Sequence, residues 1–448
     1  MARKIAIIGG NAAGVNAANA ARKTDPSAET TIVEREKYSA YSRCGLPFVL
    51  GGEIPKLEDL IVFPPSHYNL MKIDLRLETG AKAIDAKAKT VQIKDKDGKT
   101  ETLQYDSLIL ATGASPFIIP IRGYNLPGVF PIRTIEDGRK ITQAMEEAEG
   151  AIIIGAGFIG LEAAHALNEK NIKCTVVELL PQVIPTMFDP DMARIAQRKI
   201  EEHGVEVMVN SRVTEILGDK KVTGVKVESK EISADLIIMA TGVRPNVELA
   251  QAIGCEIGVT RAIKVNMRME TTVPGVYAAG DCVETQNRLT GKPSLIQLGT
   301  CSVRQGKVAG INAAGGYATY PGSMASAVSK FFDMEVGAAG LMERVARSEG
   351  FQTVSGAVTG KTRAEYFPGS EEIRVKIVAE PTMGRVLGAQ IIGGEEVTQR
   401  VNMLAVAIER GMTVWELAKA DTAYAPPLSE TWEPVALAAE VTSMRIRR

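Results

Sequence analysis

The chain has 448 residues, enough for about three domains that each bury a core of their own. Its 52 Lys and Arg nearly cancel 53 Asp and Glu, leaving a formal net charge of −1, so there is no basic footprint for nucleic acid and no polybasic membrane patch. Five widely spaced cysteines form no disulfide framework and point to a reducing, cytoplasmic setting. The three histidines, His67, His165 and His203, have no second ligand at metal spacing, so neither a metal site nor a Ser-His-Asp triad is expected. From Met1 to Gly9 the apolar run is too short for a signal peptide, and no run reaches the length of a membrane span.

Lys4 to Gly9 reads as a short apolar strand that runs straight into Gly9-Gly10-Asn11-Ala12-Ala13-Gly14. Val15 to Lys23 then reads as an Ala-rich helix, and Thr31 to Glu34 as the next strand. This order binds the ADP half of a dinucleotide: Gly9 makes the turn, Gly14 lets helix and strand approach, and Glu34 accepts from the ribose hydroxyls. Asn11 stands where the fingerprint has its middle glycine.

Tyr41-Ser42-Arg43-Cys44-Gly45-Leu46-Pro47 sets a cysteine between a polar loop and the apolar run Phe48-Val49-Leu50, with Pro47 where a first helical turn tolerates it. A short helix over that run puts Cys44 at its positive end. A helix terminus contributes at most about 2 kcal/mol, and a pKa unit corresponds to about 1.4 kcal/mol, so the dipole lowers a thiol by little more than one unit. Neighbours, Arg43 among them, have to supply the rest. The next cysteine is Cys174, so no local disulfide closes. An oxidised Cys44 is therefore a sulfenic acid, a persulfide, or a mixed disulfide with a thiol from outside. The alternative is a small buried apolar side chain, as most lone cysteines are.

The fingerprint returns at Ala151-Ile152-Ile153-Ile154-Gly155-Ala156-Gly157-Phe158-Ile159-Gly160, followed by a helix from Leu161 to Lys170 and a strand from Lys173 to Glu178. Two fingerprints in one chain point to two dinucleotides. Glu178 repels a 2′-phosphate, which favours NADH over NADPH. Each fingerprint has a later partner strand, Asp106 to Ala114 and Asp235 to Pro245, and both strands end in Ala-Thr-Gly. Val273 to Asp281 then sets a carboxylate after a strand, where Asp281 can accept from a ribityl hydroxyl and a following helix start can face a pyrophosphate. From about Ser323 the pattern changes to alternating strands such as Glu372 to Val378, and a helix is expected from Glu395 to Arg410. Tyr424-Ala425-Pro426-Pro427-Leu428-Ser429 reads as a rigid extended tail. Cys174, Cys255, Cys282 and Cys301 read as structural, with Cys301 opening a helix.

Gly9 to Gly14, Cys44-Gly45-Leu46-Pro47, Ala111-Thr112-Gly113, Gly155 to Gly160 with Leu161-Glu162, Tyr277-Ala278-Ala279-Gly280-Asp281 and Tyr424 to Pro427 together resemble the single-cysteine branch of the flavin-dependent pyridine nucleotide-disulfide oxidoreductases. That branch holds coenzyme A disulfide reductases, NAD(P)H persulfide or polysulfide reductases, NADH oxidases and NADH peroxidases. The resemblance spans essentially the whole chain. It implies an α/β fold of two Rossmann-like domains and a C-terminal α+β domain: an FAD domain of residues 1–115 and 246–322, an NAD(P)H domain of residues 116–245, and an interface domain of residues 323–448 that makes a homodimer. FAD positions carried over are Gly9, Asn11, Ala12, Ala13, Gly14, Glu34, Arg35, Ser42, Ala83, Thr112, Gly113, Arg133 and Asp281. NAD positions are Gly155, Gly157, Phe158, Ile159, Gly160, Glu178 and Gly242. Cys44 is implied to face the flavin, with Tyr366 and Tyr424 reaching it from the second subunit. Arg22, Lys23 and Lys72 match the basic groove that holds the nucleotide part of coenzyme A, as does Ser42 beside the cysteine, and Arg43 is a further candidate for contact with an anionic sulfur substrate.

The departures bear on substrate. Peroxidases carry a histidine in the first glycine loop, where this chain has Ala12, so a general acid for peroxide cleavage is missing. Coenzyme A disulfide reductases have Asn before the cysteine, where this chain has Arg43, and His or Asn at the place of Val303. No rhodanese-like extension is expected after Arg445. The leading expectation is an FAD-dependent NAD(P)H reductase of a coenzyme A disulfide, persulfide or polysulfide through Cys44. The alternatives are an oxygen-reducing NADH oxidase that cycles Cys44 through sulfenic acid, and a flavin subunit that passes NADH electrons to a partner enzyme.

Overall fold

The computed structural model describes residues 2–446. The principal strands, in chain order, are β1 (Lys4–Ile8), β2 (Glu29–Val33), β3 (Ile73–Arg76), β4 (Ser107–Leu110), β5 (Val129–Pro131), β6 (Gly150–Ile154), β7 (Lys173–Val177), β8 (Glu206–Met208), β9 (Leu236–Met239), β10 (Val276–Ala278), β11 (Ala327–Phe331), β12 (Met334–Gly340), β13 (Val354–Lys361), β14 (Glu372–Ala379) and β15 (Val386–Gly393). The helices used below are α1 (Ala12–Thr24), α2 (Leu46–Gly51), α3 (Pro65–Met71), α4 (Phe158–Asn168), α5 (Pro190–Glu202), α6 (Gly299–Ala313), α7 (Val397–Glu409) and α8 (Pro434–Met444). Two compact units result, one from the N-terminus through Leu46, Pro55–Pro116 and Val243–Ser323, the other from Pro47–Ile54, Phe117–Gly242 and Met324 onward.

The first unit is built on a parallel sheet in the order β10-β4-β1-β2-β3. Ile7 of β1 pairs with Ile32 and Ile109, and all three are fully buried. Unbroken apolar strands are what a parallel sheet covered on both faces requires. The alanines of α1 have a packing reason. A Cβ at Gly306 of α6 would lie 2.1 Å from the carbonyl oxygen of Ala13, and one at Gly310 the same 2.1 Å from that of Ala17. The two helix backbones thus touch directly, and only small side chains fit between them.

The second unit repeats the order as β5-β9-β6-β7-β8, again parallel, with Ile153 between Val176 and Ile238. Besides a three-stranded antiparallel sheet of Val213–Gly218, Val222–Val227 and Lys230–Ser233, the unit holds a five-stranded antiparallel sheet, β11-β12-β15-β14-β13, with α7 along β12 and β15 and α8 along β13 and β14. The alternation expected for Glu372 to Val378 holds only at the outer end of β14; from Val375 the strand is buried on both faces, as is all of β15. Within this unit the start of α5 is anchored to the sheet by polar groups. Asp189 exchanges hydrogen bonds with Gln390 at 2.8 and 2.7 Å, and the buried Lys376 ammonium lies 3.1 Å from Asp189, 2.9 Å from Asp191 and 3.5 Å from Glu343. Removal of one partner from such a buried set costs several kcal/mol, roughly 3–5, because it strands the others.

The tail differs from its sequence expectation. Tyr424 to Ser429 does not run extended: the N–H groups of Leu428 and Ser429 both donate to Ala425 O, at 2.9 and 3.0 Å. Pro426 supplies the φ that a turn needs after Ala425, so the prolines close a turn here. No helix among the described residues is long and apolar enough to cross a membrane.

Candidate active site

The first glycine turn is fixed by contact between backbones. Gly9 has φ +108°, and a Cβ there would lie 2.1 Å from Ala111 O; at Gly14 it would lie 1.8 Å from Gly9 O. Only glycine fits either place. At the end of β2, Glu34 is clamped by two N–H donors, Gly10 N at 2.6 Å and Glu36 N at 2.8 Å. Burial outweighs these donors and pushes its carboxyl above the usual range. Asn11 caps α1 without a side-chain cap bond, and its Nδ2 is buried with no partner. Thr112 and Gly113 are locked by Asn246, whose Nδ2 donates to Thr112 O at 2.8 Å and whose N–H donates to Gly113 O at 2.9 Å. Asp281 Oδ1 accepts from Ser302 of α6 at 3.2 Å, and Gln305 of α6 accepts from Gly280 N at 2.8 Å.

From Glu34 the chain runs into the cysteine loop. Arg43 to Gly45 forms a 3-10 turn that continues into α2, so Cys44 precedes a six-residue helix. The loop is held by Ser42 N donating to Leu60 O at 2.9 Å, and a Cβ at Gly45 would lie 2.4 Å from Leu60 Cδ2. Glu36 binds the loop from the other side: Oε1 accepts from Arg43 at 2.7 Å and Oε2 accepts from the Tyr41 hydroxyl at 2.5 Å, while the Arg43 guanidinium sits 4.9 Å above the Tyr41 ring. The Arg43 charge is therefore matched by a carboxylate, which the sequence reading of Arg43 did not foresee. Burial pushes the Tyr41 phenol up, so that it remains a donor. Of the five cysteines only Cys44 is exposed. Burial pushes the Cys174 thiol up to about 12 and raises those of Cys255 and Cys282.

In the second unit the same construction recurs. Gly155 also has φ +108°, a Cβ there would lie 2.4 Å from Ala240 O, and one at Gly160 would lie 2.0 Å from Gly155 O. Glu178 accepts from Ala156 N at 2.7 Å and Leu180 N at 2.8 Å. Phe158 and Ile159 open α4, and Cβ positions at Gly157 and Gly242 have nothing within 4 Å. Glu162, one turn into α4, has its carboxyl raised by burial to about 7 and accepts from Ser329 of β11 at 2.5 Å.

These features fit two dinucleotides. Cβ positions at Gly157 and Gly242 in the second unit and at Gly113 in the first meet open space, each turn has a carboxylate with spare lone pairs at the end of its second strand, and Asn11 offers an unused buried donor. Residues 3–306 match the family described as pyridine nucleotide-disulphide oxidoreductase, and residues 326–436 match its dimerisation domain. The chain belongs to that family. As an oxidoreductase of this family it is a flavoprotein that uses FAD and NAD(P)H. It is 44% identical over 437 residues to an NADH oxidase of Methanocaldococcus jannaschii, covering 97% of each chain, and 35% identical to a CoA-dependent NAD(P)H sulfur oxidoreductase of Pyrococcus furiosus, covering 98% of this chain and 99% of the other. Among solved structures it is similar to an NAD-dependent persulfide reductase from A. fulgidus, with a TM-score of 0.95 and 39% identity over 98% of this chain and 82% of that one.

The remaining expected positions of the oxidoreductase fall as follows. Arg22 donates to Met71 O at 2.9 Å and to Ala28 O at 2.5 Å, so it braces the loop that bears Lys72; Lys23 and Lys72 are exposed beside it. Arg35 is exposed just past Glu34, and Ala83 is exposed in the strand Thr79–Asp85. Arg133 belongs to the second unit, where its N–H donates to Asp137 at 3.2 Å. Tyr366 and Tyr424, both exposed, meet hydroxyl to hydroxyl at 3.1 Å, and that bond raises the Tyr366 phenol. Sequence reasoning missed Glu36, Asn246, Ser302 and Gln305; none belongs to a motif, and Glu36 alone left a trace, as a carboxylate seven places before an arginine (36 to 43).

Proposed function

We propose that this oxidoreductase reduces the sulfur–sulfur bond of a coenzyme A disulfide, persulfide or polysulfide through Cys44, with FAD held by residues 1–115 and 246–322, NADH by residues 116–245, and residues 323–448 pairing two chains into a cytoplasmic homodimer. The observation that carries this reading is the exposure of Cys44: it ends a loop that runs on from the Glu34 clamp, and the other four cysteines are buried. FAD, when bound, supplies the passage of a hydride's two electrons from NADH to sulfur. The Cys44 thiolate attacks the acceptor, the sulfur–sulfur bond breaks, one thiol leaves, and the other half stays on Cys44. Tyr366 and Tyr424, presented to the Cys44 of the second subunit, donate to the departing sulfur. Lys23 and Lys72 attract the phosphates of coenzyme A, and Ser42 and Arg43 flank the incoming sulfur. Glu178 disfavours a 2′-phosphate. The names of the P. furiosus and A. fulgidus relatives support the sulfur acceptor.

Replacement of Cys44 by Ser tests this directly: sulfur turnover is expected to vanish while NADH still bleaches the flavin. Undiminished sulfur turnover in that variant would sink the assignment. Oxygen reduction is the second reading, favoured by the M. jannaschii relative's name. Stoichiometric conversion of oxygen to water, with no turnover of sulfur compounds, would select it instead.

A further inference from the structure

We propose that the buried Arg400–Glu433 pair is a positioning element that sets the two tyrosine-bearing segments against each other, and so controls sulfur turnover without touching substrate. This rests on the reading above, in which Tyr366 and Tyr424 serve the sulfur site. Tyr366 lies on the loop Thr362–Glu371 between β13 and β14, and Tyr424 lies on the segment that leads into α8. Within its own chain neither phenol is held by packing, since there Tyr366 is 76% exposed and Tyr424 45%. Their mutual 3.1 Å bond therefore depends on what fixes the two backbones.

One side chain reaches both. Arg400, on the first turn of α7, donates from Nε to Glu433 Oε1 at 2.6 Å and from Nη2 to Glu433 Oε2 at 3.1 Å, while Nη2 also donates to Thr362 O at 3.3 Å. Glu433 closes the Tyr424 segment as the cap of α8, accepting from Val435 N at 3.4 Å, and Thr362 is the base of the Tyr366 loop. That base is shut by Thr362 N donating to Glu371 O at 2.9 Å and Glu371 N donating to Thr362 Oγ1 at 3.1 Å. A last bond, Ala364 N to Pro426 O at 3.2 Å, joins loop to segment directly. Arg400, Glu433 and Thr362 are all buried. A guanidinium fork in a buried place holds direction as well as distance, which an ammonium in its place does not. The arrangement serves the phenols, which sit at the free ends of the two segments it ties.

The test compares three variants of the full-length holoenzyme. In the double variant Arg400→Met with Glu433→Leu the pair is replaced by apolar side chains, an exchange that buried ion pairs often tolerate without loss of folding. Arg400→Lys keeps the charge but not the fork, and Tyr424→Phe reports on the phenol itself. With thermal midpoint near the parent's, the double variant is expected to lose about tenfold in kcat for coenzyme A disulfide or polysulfide, a penalty of the size small misplacements produce, with NADH reduction of ferricyanide unchanged. Its phenolate absorbance is expected to rise at lower pH, because the phenol–phenol bond that raises Tyr366 is gone, and Arg400→Lys is expected to fall between it and the parent. A folded double variant with parental kcat and phenolate titration overturns the proposal, as does an equal loss of ferricyanide reduction. If Tyr424→Phe keeps full sulfur turnover, it is the role of the tyrosines that fails; if Tyr424→Phe is impaired and the Arg400 variants are not, the pair alone is refuted.

Discussion

The two glycine turns are one construction used twice, and their differences lie in what surrounds them. Both place a glycine at φ +108° under a neighbouring strand, both close helix onto turn through a second glycine, and both clamp a carboxylate with two N–H donors. In the first, α1 is pressed against α6 so closely that its buried face is nearly all alanine. In the second, α4 carries Leu161, Leu167 and the buried carboxyl of Glu162, and it packs against β11 and against the segment that follows Cys44, where Gly51 lies by Ala166. A dinucleotide turn thus fixes only its own few residues. The outward faces of its helix are free to serve the neighbours that each unit supplies.

The largest expected effect separates the two turns. A methyl added by Gly14→Ala collides with Gly9 O, and one added by Gly160→Ala collides with Gly155 O. Overpacking against backbone costs about 1–3 kcal/mol or more. Gly14→Ala is expected to be purified with little or no flavin, as read from visible absorbance. Gly160→Ala should keep its flavin, and its KM for NADH should rise by about 100-fold, the equivalent of nearly 3 kcal/mol. Flavin loss in both variants would mean that the turns are not independent.

That independence is also why so much could be read in the sequence. Gly9 to Gly14 and Gly155 to Gly160 declare a turn because backbone geometry admits nothing but glycine at their ends, and the strand stretches that run into them, Ile5 to Ile8 and Ala151 to Ile154, are apolar because both faces are covered. Helix and strand limits follow within a few residues; the helix expected from Leu161 begins at Phe158, since the turn itself is its cap. What stayed hidden was pairing across long separations. Glu433 meets Arg400, Lys376 meets Asp189, and Asn246 meets Thr112 through the fold, with no local pattern to announce them. The Ala425 turn was misread because Pro-Pro suits an extended chain equally well until the donors of Leu428 and Ser429 are seen.

The second effect sharpens the contrast between the helices. Asn16 stands as far beyond Gly9 as Glu162 does beyond Gly155, and it bonds its own helix at Ala12 O, 2.8 Å away. Glu162 instead holds a proton up to pH about 7, against an ordinary value of 4.5, because burial disfavours its charge. A carboxyl raised in the folded state stabilises fully below its unfolded pKa, and that contribution is lost as pH rises through the folded one. Stability from this residue should therefore fall between pH 4.5 and 7 and stay level above. Glu162→Gln removes the loss, and above pH 7 it is expected to gain about 3 kcal/mol over the parent by denaturant midpoint, with no difference near pH 4. A pH-independent difference would show that the carboxyl is not the group responsible.

A smaller effect concerns the clamps. Glu178→Gln keeps the shape of the side chain but loses charged hydrogen bonds to a ribose, about 2 kcal/mol or roughly 30-fold in KM for NADH, and it relieves the repulsion of a 2′-phosphate. The NADH to NADPH preference should narrow accordingly in steady-state kinetics. An unchanged ratio would place coenzyme choice elsewhere, with Leu179 and Leu180, both exposed, as the next residues to vary.

The smallest effect lies at the one glycine position of the fingerprint where the two turns differ, Asn11 against Gly157. A Cβ at Gly157 meets nothing within 4 Å, and Asn11 has φ −104°, so neither backbone requires glycine there. Asn11 gives α1 no side-chain cap bond, and its Nδ2 is buried without a partner. Asn11→Gly should therefore leave stability within a few tenths of a kcal/mol of the parent. If the amide's partner is the bound dinucleotide, the same change weakens FAD by about 1 kcal/mol, or roughly fivefold in Kd measured by flavin fluorescence on the apoprotein. A fall in the unfolding midpoint with FAD affinity intact would assign Asn11 to the helix and leave the two turns alike in needing no particular side chain at this position.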